Sequence, residues 1–238
     1  MGREEAREGG LEDFAARRAA ARARLDAIDP HKRPGGQEED PLRRDWFAAV
    51  YDLAGEDLAA VPWGDEAAHP LLADWLATQP SLEGLCALDV GCGLGDNAEA
   101  LAAKGASVTG FDLVRGAVDW ARRRFPQSGV DYRTADLFAP PPEWRGAFDL
   151  VHECYTLQAL PSTLLPRAAP ALASLVAPGG RLLVVARARE EGQEVAGPPW
   201  PLTRGQIQAL AVDGLRLETL EAMSAERGPH WRALLRRE

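Results

Sequence analysis

Short apolar runs alternate with amphipathic stretches through the second two thirds of the chain, and that rhythm predicts the architecture. LCALDV, SVTGFD, VDYRT, FDLVHE and RLLVVAR have the length and apolar character of strands, and helical segments separate them. Repeated strand-helix-strand order is the pattern of a parallel sheet covered on both faces. The tail differs: GLRLETLEAM and HWRALLRR are two further strand candidates without a full helix between them. They are expected to pair as an antiparallel hairpin at the sheet edge, so the predicted class is α/β.

The N-terminal region has another pattern. In LEDFAARRAAARARLDAI, Leu11, Phe14, Ala21, Leu25 and Ile28 fall at helical spacing while arginines fill the other faces. DPHKRPGGQEEDP then mixes Pro, Gly and charge, a composition that buries too little apolar surface to order itself, and reads as a flexible linker. Residues 1–40 are therefore expected to be a helix with a linker, and residues 41–238 the main domain. Its first part, residues 41–80, contains two helical stretches around a Pro-Trp turn and is expected to cap the sheet. Phe47 and Tyr51, at i and i+4, are expected to pack together.

Composition narrows the partners. The chain has 238 residues, 46% apolar and 26% charged, which is ordinary for a globular protein. A formal net charge of -9 repels phosphate backbones and argues against nucleic acid. Cys86, Cys92 and Cys154 are too few for a disulfide framework and lack metal-site spacing, so no metal is expected. The N-terminus has no apolar signal-peptide core and no run is long enough to span a bilayer. A cytoplasmic protein without a membrane partner is the expectation, and the oligomeric state is left open.

Candidate chemistry begins at LCALDVGCGLGDNAEALAAKG, where a strand ends at Asp89, glycines follow at 91, 93 and 95, and a helix opens near Asp96, placed to cap its amides. A dinucleotide fingerprint needs G-x-G-x-x-G, with its last glycine where this chain has Asp96. An acid there sits badly beside a pyrophosphate but tolerates a phosphate-free cofactor carrying a sulfonium and an ammonium. Asp112, with Leu113 beside it, ends the second strand where a carboxylate can accept two ribose hydroxyl protons. Asp136 and Leu137 end the third, placed to accept from an adenine amino group and to cover its ring. The competing readings are a turn acid for Asp112 and a cap or Asx-turn residue for Asp136.

With the PGG turn at 178–180, these residues resemble the class I S-adenosylmethionine-dependent methyltransferases over residues 80–236. The resemblance implies a Rossmann-like, mostly parallel sheet and S-adenosylmethionine as cofactor. DWFAAVYDLAGEDLAAVPW, FDLVHECYTLQALPSTLLPRAAPALASLVAPGG and GPPWPLTRGQI look like the thiopurine methyltransferase-like branch, which acts on small thiols. Glu153 falls on the acid of that branch's Asp-Arg pair after the fourth strand, and Cys154 falls where its arginine would be. Trp63, near Pro62 and Asp65, suits a lid over the cofactor, with a structural anchor as the equal alternative. GPPWP can contribute to an acceptor wall or be a plain turn.

Methyl transfer from a sulfonium is an in-line displacement that needs alignment and exclusion of water. His152 and Glu153 are the candidates to take the acceptor's proton, and Asp65, His69 or Arg187 to orient it. Glu153 can instead hold the cofactor's amino group or a loop amide. A thiol is already partly ionised at neutral pH and needs no strong base, which favours sulfur. The expected function is methylation of a small-molecule thiol. Methylation of oxygen or nitrogen is one alternative, and a non-catalytic cofactor-binding regulator the other.

Overall fold

A computed structural model describes residues 2–36, 40–225 and 228–238, with side chains from residue 13 onward. The chain divides into two compact units, Met1–Ala67 and Ala68–Glu238. The side chain of Leu11, counted above in the N-terminal helical stripe, lies outside the described residues.

In the first unit, α1 (Gly2–Ile28) and α2 (Arg44–Ala54) are joined through a 3-10 turn, Pro30–Lys32. The segment read as a flexible linker is folded from 29 to 36, because Asp29 does two jobs at once. Its carboxylate accepts from the His31 amide at 3.0 Å and forms a buried ion pair with Arg43. Arg43 in turn lies 3.9 Å over the Trp46 ring. Composition does not show such pairing, since either charge alone would read as solvated.

The second unit opens with α3 (Pro70–Thr78), whose N-cap is His69 and whose first residue is Pro70, a residue that fits where no amide partner is needed. A seven-stranded sheet follows: β1 (Cys86–Val90), β2 (Ser107–Asp112), β3 (Asp131–Thr134), β4 (Phe148–Cys154), β5 (Val176–Arg187), β6 (Leu215–Ala225) and β7 (Gly228–Arg237). The strand order is β3-β2-β1-β4-β5-β7-β6. The first five strands are parallel, and β7 runs antiparallel between β5 and β6. The tail therefore forms the antiparallel edge hairpin that its sequence predicts.

Crossovers are made by α4 (Asp96–Ala103), α5 (Arg115–Arg124) and α6 (Leu165–Leu175), and the short α7 (Arg204–Gln208) precedes β6. Leu72, Trp75 and Leu76 of α3 share one core with Ala98 and Leu101 of α4 and with Ala87 and Val108 of the sheet. Each such fully enclosed leucine contributes roughly 1.5–3 kcal/mol. Strand order reverses between β1 and β4, so the crevice for a ligand opens at their carboxyl ends.

Candidate active site

The glycine loop is shaped by its protein neighbours before any ligand is considered. Gly91 has φ +65°, and a Cβ there would lie 2.2 Å from Thr156 Oγ1. Gly95 has φ +93°, and its Cβ would lie 2.4 Å from the Tyr132 hydroxyl. Only glycine satisfies both constraints at each position. Asp96, expected to cap the following helix, is instead held by Arg124 of α5 through two bonds of 2.7 and 2.8 Å. A planar guanidinium matches a carboxylate's two oxygens better than scattered amides do.

At the end of β1, Asp89 is buried and its Oδ1 lies 2.7 Å from His152 Nδ1 of β4. Its Oδ2 is enclosed and has no protein partner. An unpaired buried carboxylate oxygen is costly, and a cation beside the loop would relieve that cost.

Asp112, at the end of β2, accepts from the amides of Gly93 at 3.0 Å and Val114 at 2.9 Å. Burial raises its carboxyl to about 6, against the lowering effect of those amides. A carboxylate has about four acceptor positions, so capacity remains for a diol. Leu113 is half-buried. Asp136 Oδ1 accepts from the Phe138 amide at 2.8 Å, an Asx turn, with Leu137 buried beside it. Cys92 is buried within the loop, where loss of solvent raises its thiol far from ionisation.

His152 and Glu153, expected to face the acceptor, are both fully enclosed. Glu153 Oε1 accepts from the Leu157 amide at 2.9 Å, shaping the chain as it leaves β4. Burial pushes its carboxyl up to about 8, which favours the protonated form at neutral pH. Two polar residues follow β4: Tyr155, at φ +69°, and Thr156, whose hydroxyl donates to Val90 O at 3.0 Å.

Asp65 and Trp63 belong to the first unit. Asp65 pairs with Arg18 at 2.6 Å. Trp63 lies among Trp46, Phe47 and Tyr51, with ring centroids 6.2, 5.5 and 6.0 Å away, and donates to the Tyr51 hydroxyl at 3.2 Å. That cluster anchors it inside its own unit. Among the described residues no group of three His, Cys, Asp or Glu side chains could hold a metal ion, and no helix is long and apolar enough to cross a membrane.

Residues 87–180, from β1 through the turn within β5, match the family described as methyltransferase domain. The domain's relatives include proteins named ubiquinone biosynthesis O-methyltransferase, from Aromatoleum aromaticum (39% identical over 116 residues, 48% of this chain and 49% of the relative) and Xylella fastidiosa (41% over 124 residues, 50% and 48%). The chain spans about half the length of the relatives it matches.

Among solved structures, magnesium protoporphyrin IX methyltransferase from Synechocystis, with bound SAH, superposes with a TM-score of 0.64 at 19% identity, over 82% of this chain and 98% of that one. The didemethyltoxoflavin N1-methyltransferase of Burkholderia thailandensis gives 0.64 at 18% identity, over 84% and 89%. At such identities these two share the fold with this chain.

Proposed function

We propose that this chain transfers the methyl group of S-adenosylmethionine to the oxygen of a small-molecule acceptor. The observation that carries the cofactor assignment is the enclosed, unpartnered Asp89 Oδ2 at the root of the glycine loop, a place built for a cation. When bound, the cofactor supplies an electrophilic methyl on sulfur. Asp89 Oδ2 would hold its ammonium, Asp112 its ribose hydroxyls, and Asp136 with Leu137 its adenine. His152 keeps the Asp89 carboxylate oriented through the 2.7 Å bond, so it acts on the cofactor's position and not on the acceptor. Neutral Glu153 holds the loop amide of Leu157 and keeps Thr156 beside Gly91.

The choice of oxygen over the expected thiol rests on the named relatives, which are O-methyltransferases by name. The test is SAH release from S-adenosylmethionine across catechol, thiophenol and aniline. Turnover of catechol at least about tenfold above thiophenol is expected, a discrimination ordinary for sites that bond a hydroxyl. Methylation confined to thiophenol would return the assignment to sulfur. Tight SAH binding with no turnover of any acceptor would favour a non-catalytic binding protein.

A further inference from the structure

At the carboxyl end of β4, three side chains from distant parts of the second unit meet in one hydrogen-bonded line that folds back on itself, with the His69 and His230 ring centroids 5.5 Å apart. His69 Nε2 lies 2.8 Å from the Tyr155 hydroxyl, and that hydroxyl lies 2.7 Å from His230 Nε2 of β7. The Tyr155 and His230 rings stack, with centroids 5.8 Å apart and planes at 27°.

Both ends of the line dictate where its protons sit. His230 Nδ1 is 2.8 Å from Gly228 O, and a carbonyl only accepts, so Nδ1 carries the hydrogen and Nε2 of the neutral ring is bare. The bare Nε2 accepts the Tyr155 O–H. His69 Nδ1 accepts from the Leu71 amide at 3.2 Å as the cap of α3, so its hydrogen is on Nε2 and is donated to Tyr155 Oη. For neutral rings, the four bonds are consistent with one tautomer set: His69 donates to Tyr155, Tyr155 to His230, and His230 to Gly228.

The line is fastened to the glycine loop. The His69 amide donates at 2.8 Å to Asn97 Oδ1, in the first turn of α4, and Thr156 next to Tyr155 is the side chain that excludes a Cβ at Gly91. Tyr155 itself is held at φ +69°, a conformation costly for a residue with a bulky side chain, which its surroundings must impose. His69 and Tyr155 are half-buried, whereas His230 is fully enclosed. The directed bonds thus run from the half-buried His69 to the enclosed His230 in the sheet.

We propose that Tyr155 and His230 are the base that deprotonates the acceptor hydroxyl, with His69 positioning Tyr155; this rests on the oxygen-acceptor reading above. As the acceptor oxygen bonds to the methyl carbon, the carbon–sulfur bond breaks and its electron pair stays on sulfur. The acceptor's proton passes to Tyr155 Oη while Tyr155 passes its own to His230 Nε2, which leaves an imidazolium; after the methylated product departs, the proton returns through the half-buried Tyr155 hydroxyl to water. Arg187 stands directly across the strand pair from His230, so a second cation there is unfavourable in isolation. The step removes the sulfonium's positive charge as the imidazolium forms, so charge moves across the site without accumulating.

The test compares two acceptors of different acidity, catechol and nitrocatechol, at a pH where nitrocatechol is ionised and catechol is not. Tyr155→Phe keeps the ring and removes the relay, and should lower kcat on catechol by about 100-fold, the ordinary scale of general-base catalysis, with less than about tenfold loss on nitrocatechol. His230→Gln should show the same split, and SAH affinity by calorimetry should stay within about threefold of wild type for both. Equal losses on the two acceptors, or loss of SAH binding in both variants, would overturn the relay. Failure of the oxygen reading itself shows earlier and differently: the wild-type chain would methylate neither diol.

Discussion

Glu153 has a measurable consequence at the scale of one residue. Its carboxyl titrates at about 8 in the folded protein against an ordinary 4.5, because burial penalises the ion. Between those values the folded state holds a proton that the unfolded state has lost. Stability is therefore undiminished by this group below about 4.5 and falls as pH rises towards 8, by up to about 1.4 kcal/mol per pH unit. Glu153→Gln keeps an oxygen for the Leu157 amide and removes the titration. Urea unfolding should find the two proteins similar at pH 5 and the variant more stable at pH 8; parallel pH profiles would show that Glu153 is not the enclosed neutral acid described.

Other single residues divide by whether their environment is local. Asp112 and Asp136 were legible as strand-end carboxylates, and each is found bonded to nearby amides, as the competing turn-acid and Asx-turn readings expected. Asp96 was not, because its partner Arg124 is supplied by another helix. His230 carried no sequence signal at all: it is one of four histidines, on a strand between β5 and β6, 75 residues from Tyr155.

At the scale of elements, the β1–α4 turn is a tight constraint on the sheet unit. Gly91→Ala places a methyl against Thr156 Oγ1 at a positive φ, and a left-handed non-glycine residue costs about 1–2 kcal/mol before any clash. A total loss near 2 kcal/mol or more is expected in urea unfolding. Adding Thr156→Ala to Gly91→Ala should cost less than the sum of the two single changes, since the contact is then absent. Strict additivity would show that the two side chains do not meet. The strands themselves were readable, since each is an apolar run between breakers. The folded turn at 29–36 was not, since it depends on a buried Asp29–Arg43 pair.

For the whole molecule, a cofactor that binds the folded chain alone must stabilise it by mass action. SAH at 100 times its Kd should add about 2.7 kcal/mol, seen as a rise in melting temperature, and NADH should add nothing. A rise with NADH and none with SAH would remove the cofactor assignment. The order of strands and helices, the edge hairpin and the glycine loop were determined by the sequence alone, because periodicity and glycine placement are local properties of the chain. The enclosure of His152 and Glu153, the anchoring of Trp63 within its own unit and the His69–Tyr155–His230 line were decided only by the tertiary structure. Burial and hydrogen bonding between residues far apart in sequence depend on which elements the fold brings side by side, and no window of sequence contains both partners.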